Sequence, residues 1–236
     1  MAKAFSLSKI GHDEPMNIRK AGAEFLGSAV LVMTVIGSGK MAQNLSTDTA
    51  VQLLINSIAT AAILYLLITL LADISGAHFN PLVTLIVAYK REISLGQTLQ
   101  FIFAQFLGAL TGAGLANLLF DLPVFTASTN VRSGNHLLLS EIIATAGLIF
   151  TIFVAIDQKR EKKIPALVAC WIGAAIFFTS STSFANPAVT FARGWSDTFA
   201  GIAPESIALF IAAQLIGAVL GLVLSQLLSS KGKNKK

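Results

Sequence analysis

The sequence predicts an all-α membrane protein of six spanning helices and two re-entrant half-helices, arranged as an inverted repeat of three spans plus three. Three observations predict it: a composition suited to lipid, long stretches without charge, and paired motifs at nearly constant separation. Of 236 residues, 54% are hydrophobic and 12% charged, with a mean hydropathy of +0.73. Soluble domains carry about 25% charged residues, so this chain belongs to the membrane class.

The spans follow from the charge-free stretches. Thr49 to Ala72, Ile93 to Phe120, Ile164 to Ala192 and Ser206 to Ser230 contain no Asp, Glu, Lys or Arg. Ala21 to Gly39 and Leu137 to Ile156 are each interrupted by one acid, Glu24 and Glu141. Each is near or above the roughly 20 residues that a helix needs to cross the hydrocarbon. Asp13, Glu14 and Pro15 precede the first span and no small-residue cleavage site follows it, so it reads as a retained helix and not as a signal peptide.

Six spans put both termini on one side. Lys3, Lys9, Arg19, Lys20, Lys90, Arg91, Lys159, Arg160, Lys162, Lys163, Lys231, Lys233, Lys235 and Lys236 then share that side, against Lys40, Arg132 and Arg193 opposite. The positive-inside rule makes the termini, residues 1–18 and 231–236, cytoplasmic tails. The final lysines read as an anchor near anionic lipid. The net charge of +5 is thus a topology signal and no argument for a nucleic-acid partner. Cys170 is the single cysteine, which excludes an intrachain disulfide, and it reads as a small buried apolar residue.

The chain is internally duplicated, as pores and transporters often are. Glu24-x-x-x-Ser28 recurs as Glu141-x-x-x-Thr145, at an offset of 117 residues. Asn80-Pro81-Leu82-Val83-Thr84 recurs as Asn186-Pro187-Ala188-Val189-Thr190, at an offset of 106. Ala104-Gln105-x-x-Gly108-Ala109-x-x-Gly112 recurs as Ala213-Gln214-x-x-Gly217-Ala218-x-x-Gly221, at an offset of 109. The whole chain is one domain of two repeats, about 20–120 and 137–230. Three spans per repeat force the halves to insert with opposite orientation.

Ile74 to Tyr89 is a 16-residue stretch without acid, Lys or Arg, too short to cross and turn back as a second span. It must dip in and return, and its counterpart runs from Thr179 to Ala192. Proline suits a first helical turn and asparagine the cap before it, so each Asn-Pro starts a helix at the bottom of its dip. Non-helical backbone at that depth is tolerated only in protein or beside a water-filled cavity, and a cavity is implied.

Ser75-Gly76-Ala77-His78-Phe79-Asn80-Pro81 and Phe184-Ala185-Asn186-Pro187-Ala188 resemble the paired Asn-Pro-Ala loops of the aquaporin and aquaglyceroporin family. The resemblance covers about Glu24 to Leu228, and two such loops in register with the other repeats make it specific. It implies a right-handed six-helix bundle, one passive pore per subunit and a homotetramer in lipid. It also implies that the amides of Asn80 and Asn186 meet neutral solutes at the midplane, beside Pro81, Pro187, Leu82 and Ala188. The same two asparagines are helix caps on any reading. No enzyme activity, cofactor or metal is implied.

Two departures from the family pattern stand out. Leu82 occupies a place where Ala is usual, and either narrows or repacks the midplane. Val189 stands where most relatives have the Arg of the outer constriction. Arg193, one turn further on the same face, either stands in for it at the outer vestibule or is an ordinary interfacial arginine. By spacing, the remaining constriction positions are Thr60, Ala174 and Ser183, which makes the ring wide and weakly polar. This pattern is similar to a bacterial branch associated with arsenic-resistance operons. The implied solutes are glycerol-like polyols, metalloid hydroxides such as arsenite, methylated arsenicals and water, across a bacterial inner membrane; a water-selective pore is the alternative.

Glu24 and Glu141 are acids within spans. The resemblance makes them braces of the re-entrant loops, whereas a plain reading makes them acids favoured near a helix N-terminus. His78 reads as a loop support or part of the cytoplasmic vestibule. Asp73, Ser75 and His78 do not make a hydrolase, because sequence proximity supplies no triad geometry. A secondary transporter would need an ion site tied to alternating access, and these two glutamates are the only deep acids.

Overall fold

The computed structural model describes residues 17–229; the tail residues before and after, with Lys3, Lys9 and the C-terminal lysines, lie outside the described residues. The helices are α1 (Ile18–Leu45), α2 (Thr49–Ser75), α3 (Pro81–Tyr89), α4 (Leu95–Leu119), α5 (Asn135–Asp157), α6 (Ile164–Phe178), α7 (Pro187–Arg193) and α8 (Pro204–Leu228), with a 3-10 turn, Glu161–Lys163, ahead of α6. Their starts are written locally. Asn17, Asp48 and Ser94 cap α1, α2 and α4 with side-chain oxygens, and prolines open α3, α7 and α8.

Among the described residues, α1, α2, α4, α5 and α8 are long and apolar enough to cross a membrane. The sixth expected span is shorter. α6 has 15 residues, a rise of about 22 Å. Pro165 lies in its first turn, and Thr179 is extended at its end, where the chain bends directly into the loop before α7. The outer faces of the bundle carry Leu99, Phe103, Val219 and Leu227, all exposed, as suits a surface whose solvent is hydrocarbon. Cys170 is exposed too, in contrast to the buried position expected of it: it shares the outer face of α6 with Leu167 and Phe178.

Packing follows the duplication. α1 lies against α4, and α5 against α8. At the first crossing a Cβ on Gly108 or Gly112 would collide with the carbonyl oxygens of Phe25 and Ala29; at the second, a Cβ on Gly217 or Gly221 would collide with those of Ile142 and Ala146. The small-xxx-small spacing therefore lets each pair of backbones touch. α3 packs on α4 and α8, while α7 packs on α4, α8 and α1, and the two half-helices meet each other.

A cavity braced by paired loops

The two re-entrant loops match residue for residue. Ala77 and Phe79 in the first have φ of 51° and 47°, and Ser183 and Ala185 in the second have φ of 51° and 50°. Left-handed backbone at residues other than glycine costs on the order of 1–3 kcal/mol each, so the surroundings must hold it in place.

Those surroundings are the two buried glutamates. Glu24 Oε1 accepts from Ser75 Oγ at 2.6 Å and His78 N at 2.9 Å, and its Oε2 accepts from Phe79 N and Gln105 Nε2, both at 2.7 Å. Glu141 accepts from Phe184 N and Ala185 N, both at 2.9 Å, and from Gln214 Nε2 at 2.6 Å. Each carboxylate thus gathers consecutive loop N–H groups that would otherwise be buried unpaired. Gln105 also donates to Thr84 Oγ1 at 2.9 Å and Gln214 to Thr190 Oγ1 at 2.8 Å, while both threonines donate to the carbonyl of the asparagine four residues earlier. Ser75 Oγ is spent on Glu24, and His78 Nδ1 lies 3.0 Å from Thr84 Oγ1.

At the bottom of the dips the asparagines cross-link the loops. Asn80 Nδ2 donates to Ala185 O at 2.8 Å, and Asn186 Nδ2 to Phe79 O at 2.7 Å. Their Oδ1 atoms cap the half-helices, accepting from Leu82 N in α3 and from Ala188 N and Val189 N in α7. One hydrogen of each amide is left over, and both side chains line a cavity that runs through the bundle.

One end of that cavity is bordered by Glu92, Ile156 and Ile164, and the other by Asn56, Thr182 and Arg193. Burial pushes the Glu92 carboxyl up from its usual range, helped by Asp157 and opposed by Lys90. His78, Thr60, Ser183 and Val189 are on the wall. The hydroxyls of Thr60 and Ser183 are buried without a hydrogen-bond partner among the described residues.

Other expected wall residues are elsewhere. Pro81, Pro187, Leu82 and Ala188 are buried but do not border the cavity; Leu82 packs with Ile86, Ile149 and Phe153, so it repacks the core and does not narrow the passage. Ala174 requires a correction. It is exposed and off the cavity, and α6 presents Val168, Ile172 and Ile176 instead. Those three recur every four residues, whereas a step of two turns the side chain about 200° away. Asp73 is exposed near the end of α2.

Several participants carried no assignment from sequence. Gln105 and Gln214 were visible as repeat landmarks, and their shared offset was the signal that they act alike. Arg132 gave no such signal: it donates from Nε to Gly201 O at 2.9 Å and lies 5.0 Å from the centre of the Phe184 ring.

Comparison with known proteins is consistent throughout. The family described as Major intrinsic protein matches residues 12–184. The chain is 47% identical over 206 residues to aquaglyceroporin AqpS of Rhizobium meliloti (strain 1021), covering 87% of this chain and 88% of that one. It is 32% identical over 164 residues to aquaporin-4 of Mus musculus, covering 67% of this chain and 50% of the relative. The X-ray structure of the aquaglyceroporin from Plasmodium falciparum superposes with a TM-score of 0.68 at 23% identity, over 91% of this chain and 96% of that one, which is a likeness of fold.

Proposed function

Because the chain belongs to the major intrinsic protein family, and is therefore an integral, multi-pass membrane channel for small solutes, we propose that its cavity passes glycerol-like polyols and neutral metalloid hydroxides such as arsenite, together with water. The observation that carries this reading is the two-sided wall. Leu31, Leu64, Ile172 and Ile176 form an apolar side, and Asn80, Asn186, Thr60 and Ser183 offer polar groups. The spare amide hydrogens of Asn80 and Asn186 are left for a solute that brings its own hydroxyls, and the hydroxyls of Thr60 and Ser183, enclosed in the wall without a partner among the described residues, add polar groups that such a solute can draw out. A polyol or trihydroxide satisfies them while its remaining surface rests on the apolar side. A charged solute would lose its hydration for little return, at several kcal/mol.

Thr60, Ser183 and Val189, with Ile172 and Ile176 from α6 in place of Ala174, make the selective ring in this reading. Val189 adds neither charge nor donor there, which favours bulkier neutral solutes over a water-only passage. Glu24, Glu141 and His78 hold the loops and form no proton relay. The mouse relative is named an aquaporin and the rhizobial one an aquaglyceroporin, and the higher identity and coverage of the latter favour the solute-permissive reading. The protein works as a homotetramer in the bacterial inner membrane with both termini cytoplasmic, without cofactor or enzymatic step.

Stopped-flow light scattering on proteoliposomes tests the proposal across water, glycerol, urea and trivalent arsenic hydroxide. Glycerol and arsenite entry should not saturate at modest concentration and should ignore ion gradients. Saturation or gradient dependence would support a secondary transporter, and water entry without glycerol entry would support a water-selective pore.

A further inference from the structure

The turn of α7 that borders the cavity carries two residues four apart, Val189 and Arg193. Arg193 is only 5% exposed, yet it lines the passage. Its Nε donates to Ala200 O, and its guanidinium lies 3.4 Å from the centre of the Phe184 ring. Neither Nη has an acceptor among the described residues, and no carboxylate pairs with it. A buried cation without an ion-pair contact is costly, and here the contacts that hold it are a carbonyl dipole and an aromatic face, with the charge of Glu141 acting from beyond contact distance. The nearest acid by connectivity, Glu141, spends its oxygens on Phe184 N, Ala185 N and Gln214.

A second guanidinium shares that ring. Arg132, from the segment between α4 and α5, is tied to the carbonyls of Gly201, Phe199 and Ser181 at 2.9, 3.4 and 3.5 Å. Both arginines therefore fasten to the stretch after α7, and neither forms an ion pair among the described residues; Arg193 borders one end of the passage and Arg132 stands behind it at Phe184, with the buried Glu141 the acid whose charge reaches both. In a narrow, apolar-walled opening such charges act through little screening and raise the energy of any cation entering.

We propose that Arg193, backed by Arg132 across Phe184, is the cation barrier of this passage, supplying at the next turn of α7 the charge that Val189 does not. The barrier is set back from the ring of Thr60, Ser183 and Val189, so a neutral solute meets a ring without a guanidinium and a cation still meets a positive mouth. The inference rests on the channel reading above.

Potassium and glycerol entry into the same proteoliposomes tests it, using the full-length protein and variants confirmed to assemble like the wild type. Wild type should pass glycerol and exclude potassium. Arg193→Gln should raise potassium entry about tenfold or more, and Arg193→Lys, which keeps the charge but not the planar stacking fork, should remain tight. Arg132→Gln, at the outer partner, should raise entry by about threefold, and it keeps the test open if Arg193→Gln does not assemble. Potassium exclusion unchanged in every assembled glutamine variant would overturn the proposal. Equal leakage from Arg193→Lys and Arg193→Gln would also overturn it, making Arg193 a fastening of the loop. A wild type that passes no glycerol would instead remove the channel reading on which the inference stands.

Discussion

Gln105 and Glu24, 81 residues apart, are joined at 2.7 Å deep between α4 and α1, and the same amide reaches Thr84 on the half-helix α3. One side chain therefore ties a span, a carboxylate and a re-entrant helix. The second repeat does the same through Gln214, Glu141 and Thr190.

Glu24→Gln should destabilise the protein strongly, because one amide oxygen cannot accept the four bonds that the carboxylate accepts. At least two buried donors lose a partner, at about 1–3 kcal/mol each. Thermal unfolding in detergent should show a lower midpoint for Glu24→Gln and a similar drop for Glu141→Gln. An unchanged midpoint in both would remove the bracing role.

Asn186→Asp replaces the donor to Phe79 O with an acceptor facing an acceptor. It should reduce glycerol flux by about tenfold or more, since the lost amide bond and the new repulsion each disturb the meeting of the loops. Flux of glycerol through the assembled variant at the wild-type rate, with cations still excluded, would show that the amide pair has no part in conduction.

Val189→Arg adds bulk, donors and a charge to the ring. Glycerol and arsenite entry should fall several-fold more than water entry, a ratio best measured on the same vesicles. If both fall alike, or if wild type already excludes glycerol, the wide-ring reading fails.

Cysteines placed at Ser133 and Lys162, both exposed, should label from opposite sides of the membrane, with Lys162 cytoplasmic. The background must carry Cys170→Ala, because Cys170 is exposed on α6. Labelling of both sites from one side would reverse the topology.

Glu92 offers a pH test outside the spans. Its folded pKa is raised, so its neutral form suits the fold, and its contribution to stability is present at low pH and lost as pH rises through the folded pKa. Glu92→Gln, permanently neutral, should therefore gain thermal stability relative to wild type at pH 7 and lose that advantage near pH 4. A constant difference across that range would contradict the assignment.

Much of this could be read from the sequence, because apolar length, Asn-Pro caps and duplication are local signals. The charge-free stretches gave the helices, and the offset between Asn80 and Asn186 gave the two dips. What stayed hidden was rotational phase. α6 is apolar on every side, so nothing in its composition distinguishes the lipid face of Ala174 from the cavity face of Ile172 and Ile176. α6 was also expected to match the other spans, since a charge-free stretch does not show where a helix yields to a loop. Arg193 admitted two readings because its meaning depends on Phe184 and Ala200, contacts made only by tertiary folding. The left-handed residues Ala77 and Ser183 gave no warning either, as neither is glycine.

The reciprocal amide bonds of the asparagines also bear on biosynthesis. Asn80 leaves the ribosome 105 residues before Ala185, the carbonyl it will bond, a delay of roughly 5–20 seconds at ordinary elongation speeds. Through that interval the first dip can gather its own glutamate and glutamine, but its tip has nothing to grip. The nascent first half is thus a scaffold whose deepest turn is completed only when the second arrives from the opposite leaflet. Truncation after α4 would leave that turn permanently open, a state that membrane quality-control proteases can read as unfinished.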